Sequence, residues 1–99
     1  MTREYIIYHT PAQIAAENTA DEIRIELESL PFTIDEAADL FGGNDPAERA
    51  DEALPDVEWC EQLLVEWYDE REAERPCTAE ELALTFHLYS AWYINQDAE

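Results

Sequence analysis

Glu22-Ile23-Arg24-Ile25-Glu26-Leu27-Glu28 alternates charged and apolar residues without a break, and whether it is strand or helix decides the fold class. Taken with a period of two, it is a half-buried strand, and Tyr5-Ile6-Ile7-Tyr8 offers a partner for a small two-stranded sheet. Taken with its neighbours, it belongs to a longer pattern. Ala12, Ala16, Ala20, Ile23, Leu27 and Leu30 recur at spacings of four and three, which is one face of a helix. The expectation is a helix over 11–30, with residues 3–9 as a short strand or extended arm. A sheet at this end, making the fold α+β, is the alternative.

Helix starts punctuate the rest of the chain. Thr10-Pro11-Ala12-Gln13 sets a capping hydroxyl before a proline at the first helical position. Thr33-Ile34-Asp35-Glu36 and Thr78-Ala79-Glu80-Glu81 are capping boxes, in which hydroxyl and carboxylate each satisfy an orphan backbone N–H. Asp45-Pro46 and Asp56-Val57 are two further N-caps. Gly42-Gly43 is a C-terminal stop, and Pro31, Pro55 and Pro76 close other segments because each disfavours helix in the residue before it. These signals predict helices near 11–30, 34–41, 46–54, 57–74 and 79–95. The chain is expected to be a single, mainly α domain spanning residues 1–99, a compact bundle of about five helices.

The two C-terminal helices differ in pattern. In 57–74, Val57, Cys60, Leu63, Leu64 and Trp67 form an inner stripe, while Glu58, Glu61, Glu66, Asp69, Glu70, Glu72 and Glu74 point outward. After Glu81, by contrast, no charge appears until Asp97, and Leu82, Leu84, Phe86, Leu88, Tyr89, Trp92, Tyr93 and Ile94 surround the axis. A helix apolar all round is buried in the middle of its domain or half-covered by a partner. Central burial is the simpler expectation.

Twenty-five acidic and five basic residues, none of them lysine, give these 99 residues a formal charge of −20. Such like charge on a small body costs stability through self-repulsion. Composition argues against disorder, since 46% of residues are apolar and 11% aromatic. High-salt adaptation favours acidic, lysine-poor surfaces too, but it predicts aspartate at least as prominent as glutamate, and glutamate dominates here. A surface of this sign repels phosphate, which argues against direct binding of nucleic acid or an anionic membrane. No stretch reaches the length of a membrane span, no secretory leader pattern opens the sequence, and the cytoplasm is the expected compartment.

Catalytic and metal chemistry find little support. The loop Asp39-Leu40-Phe41-Gly42-Gly43-Asn44-Asp45 lacks the ligand order of a calcium loop, and neither His9 nor His87 follows a glutamate by three residues. Ser29 and Ser90 lie in no nucleophile motif, and no glycine-rich phosphate loop is present. Cys60 and Cys77 lack metal-ligand spacing and are expected to be reduced thiols. No enzyme activity, metal or cofactor is expected.

What remains is the distribution of acids over element after element. Glu17, Asp21, Glu22, Glu26 and Glu28 lie on the first helix, and Asp35, Glu36 and Asp39 on the second. Asp45, Glu48, Asp51 and Glu52 fall on the third, followed by the row from Glu58 to Glu74. Carboxylates three or four apart on one helix repel each other, as in Glu22 with Glu26, Glu58 with Glu61, Glu66 with Glu70 and Asp69 with Glu72. Duplex DNA carries about one charge per 1.7 Å, so twenty charges correspond to roughly 34 Å of duplex. A folded chain of this length is expected to be of similar width, with a radius of gyration of about 13 Å.

In composition, size and helical carboxylate rows the chain resembles the small acidic DNA-mimic inhibitors of phages and mobile elements, among them antirestriction, anti-CRISPR and DNA-glycosylase-inhibitor proteins. The resemblance is one of bulk character over the whole chain, with no family motif. It implies a rigid scaffold that docks its carboxylates into the basic groove of a nucleic-acid-binding protein, with Tyr68 and Trp59 as candidate anchors. A homodimer is compatible with this expectation. The alternative is a small acidic adaptor or immunity-type protein that binds through an apolar helix face, using the 79–95 helix or the Tyr5–Tyr8 arm.

Overall fold

Threonine opens four helices of the computed structural model, which describes residues 9–41 and 57–98. Thr10, Thr19, Thr33 and Thr78 each accept a hydrogen bond on the side-chain oxygen from the N–H three residues on, at 3.1–3.2 Å. Each threonine N–H is bonded in return by Gln13, Glu22, Glu36 or Glu81 at 2.9–3.2 Å. These reciprocal boxes satisfy backbone donors that the first turn of a helix leaves without partners. The described elements are α1 (Pro11–Glu17), α2 (Ala20–Glu28), α3 (Ile34–Phe41), α4 (Val57–Trp67), a 3-10 turn (Asp69–Arg71) and α5 (Ala79–Ala98). The protein is mainly α, and no strand occurs among the described residues.

The ambiguous stretch 22–28 is helical, within α2. A strand would set Ile23, Ile25 and Leu27 on one face, whereas a helix puts residues four apart together and the one between them opposite. Ile23 and Leu27 are fully buried and Ile25 is 65% exposed. That removes the partner proposed for Tyr5–Tyr8, which itself lies outside the described residues. The helix expected at 46–54, with its Asp45-Pro46 cap, lies outside them too.

The helix expected over 11–30 is two helices. Asn18 is extended (φ −137°, ψ 152°), and Thr19 begins α2 with its own capping box. The break resets the helical phase, so the single stripe fails upstream of it. Ala16 is exposed and Ala12 half-buried, while Pro11, Ile14 and Ala15 face inward. The polar groups at the break are provided for: the Asn18 side-chain amide donates to the Ile14 carbonyl at 3.1 Å, and Asn95 of α5 donates to the Asn18 carbonyl at 2.8 Å.

The helix expected over 57–74 is shorter as well. α4 ends at Trp67, and the chain closes through the 3-10 turn into a Schellman-type motif. Ala73 N–H donates to the Tyr68 carbonyl at 2.8 Å and Glu72 N–H to the Asp69 carbonyl at 3.1 Å. Glu72 occupies the left-handed position (φ 57°), a seat that favours glycine.

α5 runs through the middle of the bundle, packed against α1, α2, α3 and α4. All ten residues from Leu82 to Ala91 are buried. Ile14, Ile23, Leu27, Ala37, Cys60 and Leu64 reach it from the surrounding helices. Among its buried polar side chains, Thr85 donates to the Glu81 carbonyl at 2.9 Å. The Cα trace has a radius of gyration of 12.9 Å and extents of 41 × 23 × 23 Å.

Exposure should therefore decide the effect of truncating an apolar residue. Leu88→Ala is expected to cost about 2–5 kcal/mol and Ile25→Ala less than about 0.5 kcal/mol, measured by urea unfolding. Equal effects would contradict the helical placement of both residues.

Candidate functional site

The inward stripe of α4 turns its acids to solvent. Cys60 and Leu64 are buried and Val57, Leu63 and Trp67 half-buried, so Glu58, Glu61 and Glu66 lie exposed. Asp69, Glu70, Glu72 and Glu74 continue this exposed row through the turn. On α2, Asp21, Glu22 and Glu28 are exposed and Glu26 is half-buried; on α3, Asp35, Glu36 and Asp39 are exposed. Glu17 is exposed at the end of α1. Asp45, Glu48, Asp51 and Glu52 lie outside the described residues. Since α4 stops at Trp67, neither Glu66 with Glu70 nor Asp69 with Glu72 is a pair on one continuous α-helix.

Several of these carboxylates already hold local structure. Glu22 and Glu36 bond the backbone of their own helix starts. Asp21 lies 3.7 Å from Arg24, an exposed contact of little energetic weight. The strongest ties converge on Arg75. Its Nε donates to Asp69 Oδ1 at 2.9 Å and its Nη2 to Asp69 Oδ2. Nη1 lies 3.0 Å from Glu61 Oε2, and Nη2 lies 2.9 Å from Glu61 Oε1. One guanidinium thus meets two carboxylates in planar forks, a geometry an ammonium group cannot reproduce.

The hydrogen bond from Arg75, aided by its charge, holds the Asp69 carboxyl below its ordinary value of 3.8, while partial desolvation opposes the shift. The same two carboxylates raise Arg75, so it stays charged throughout. The clasp was not legible beforehand, because Arg75 stands fourteen residues from Glu61 and no helical spacing links them.

Most of the remaining candidates lie in or against the core. Burial pushes the Cys77 thiol up to about 11, with the nearby Glu81 charge adding and Arg75 partly opposing. Cys60 is buried too, and neither cysteine is joined in a disulfide. Burial, then Tyr93, raises Tyr89. Trp59 and Tyr68, expected as exposed anchors, are half-buried against the core, with the Trp59 ring 5.5 Å from Phe86. His87 is buried on α5 and His9 half-buried ahead of α1. Among the described residues, no group of three or more His, Cys, Asp or Glu is gathered as a metal site, and no helix is long and apolar enough to cross a membrane. What the surface offers chemically is an array of carboxylates mounted on capped helices.

Comparison with known proteins finds no family model, no curated protein and no solved structure that matches this chain.

A depressed carboxyl stabilises the fold above its unfolded value, and that contribution is lost as pH falls through the folded value. The gap in unfolding temperature between the unsubstituted protein and Arg75→Gln is therefore expected to hold from pH 7 to about pH 5. It should close below 3.8 as Asp69 takes up its proton. Thermal melts followed by circular dichroism check this, and a gap undiminished well below that value would contradict it.

Proposed function

We propose that this chain is a DNA-mimic inhibitor that acts in the cytoplasm (the host cytoplasm, if a phage encodes it). Its target is the basic nucleic-acid-binding groove of a defence or DNA-processing protein, in the manner of anti-CRISPR or antirestriction proteins. The reading assigns it no catalytic residue, cofactor, membrane contact or direct contact with nucleic acid.

The observation that carries this reading is the exposed row from Glu58 to Glu74. Glu58, Glu66, Glu70, Glu72 and Glu74 stand exposed; of the two arginines in this stretch, Arg75 is taken up by Glu61 and Asp69, which leaves the exposed Arg71 as one positive charge among them. A duplex as long as the 41 Å axis of the protein carries roughly 24 charges, against a net 20 here. Capped helices hold many of the carboxylates, which limits the ordering cost of binding. Attraction to a basic groove would speed association and make it sensitive to salt.

The adaptor alternative has one observation in its favour, the exposed Ile25 on α2. Of the two contacts expected for an adaptor, the middle of the 79–95 helix is already covered inside the bundle, and the Tyr5–Tyr8 arm lies outside the described residues.

Capture of partners from a host lysate at low salt, with elution by duplex DNA, identifies the target to be assayed. The decisive variant combines Glu66→Lys, Glu70→Lys, Glu72→Lys and Glu74→Lys, sparing the clasped Asp69. Inhibition of the captured target is expected to fall by about tenfold or more while the unfolding temperature rises as repulsion eases. Intact inhibition would contradict the choice of surface. Loss of binding on Ile25→Ser, with the charge-reversed variant still active, would favour the adaptor.

A further inference from the structure

Between Tyr68 and Cys77 little besides Arg75 fastens the chain to the bundle. Asp69 through Glu74 and Pro76 are exposed, and the buried surface lies at the two ends, in half-buried Tyr68 and buried Cys77. Backbone hydrogen bonds described in this stretch stop at Ala73 and resume at the Thr78 cap. Within the turn, Glu72 sits in the left-handed region, which penalises a residue with a side chain. Segments with few buried contacts and solvent-exposed backbone open at a fraction of the global unfolding free energy.

Arg75 is the counterweight. It joins the loop to Asp69 on the 3-10 turn and to Glu61 two turns back on α4. Without it, those two carboxylates lose the cation that each of them binds. Cys77 follows two residues later and is buried at the core. A thiol that titrates near 11 reacts slowly there and faster once solvated.

We propose that Arg75, Asp69 and Glu61 form an electrostatic latch on a separately opening segment, residues 68–78, and that release of the latch uncovers Cys77 without unfolding the bundle. Cys60, fully buried on α4, supplies an internal reference, because it becomes reactive only when the core itself opens. The latch stands independently of the proposed inhibition.

The test is iodoacetamide labelling of the native protein at low salt, with each cysteine followed by peptide mass spectrometry. In Arg75→Gln the ratio of Cys77 to Cys60 labelling rates is expected to rise about tenfold over the unsubstituted protein. Glu61→Gln, which removes one arm and leaves the Asp69 fork, should raise it less. Arg24→Gln, which deletes a positive charge elsewhere, should leave it unchanged. If both cysteines accelerate in step in Arg75→Gln, the clasp contributes only to global stability and the latch is overturned. An unchanged ratio overturns it equally, as does an equal rise in Arg24→Gln.

Discussion

A helix buried on every side along ten of its residues sets the terms for this protein. The ten buried residues from Leu82 to Ala91 exclude water only if neighbours cover α5 on all sides, and α1 to α4 supply that cover. Each covering helix spends its apolar side on α5, as Ile23 and Leu27 do on α2 and Cys60 and Leu64 on α4. What is left to each is an outer side, and the surplus acids occupy it. Burial is the dominant favourable force in such a fold, and here it must exceed both chain entropy and the repulsion among the carboxylates.

Where those acids sit softens the repulsion. Asp21 and Glu22, Asp35 and Glu36, Glu58, and Glu80 and Glu81 lie in first helical turns, where the helix dipole and unpaired N–H groups favour negative charge. No α-helix among the described residues carries a basic residue in its last turn. Part of the charge thus suits the starts of α2 to α5, while Glu26, Glu28, Asp39 and Glu66 lie beyond them and Arg75 binds Glu61 and Asp69 together.

Much of this was legible beforehand for particular reasons. Three threonine boxes and the uncharged run after Glu81 foretold helix starts and the buried centre, because capping and periodicity are local. The fourth box, Thr19-Ala20-Asp21-Glu22, has the same sequence form, but a single helix over 11–30, expected from the stripe between Ala12 and Leu30, takes no account of it. Alanines are weak markers of a face, and Ala16 turned out to be exposed. The end of α4 was hidden for another reason. No glycine marks the left-handed position that Glu72 fills. The clasp at Arg75 joins residues distant along the chain, which no spacing rule relates.

That the acids serve as a stand-in for a phosphate backbone is the central claim, and its most direct measure is the salt dependence of target binding beside that of duplex DNA. On this account the protein and the duplex exclude each other from one groove, and both affinities fall steeply and linearly on log–log axes as salt rises. Simultaneous binding of protein and duplex, or an affinity for the target that is indifferent to salt, would contradict it.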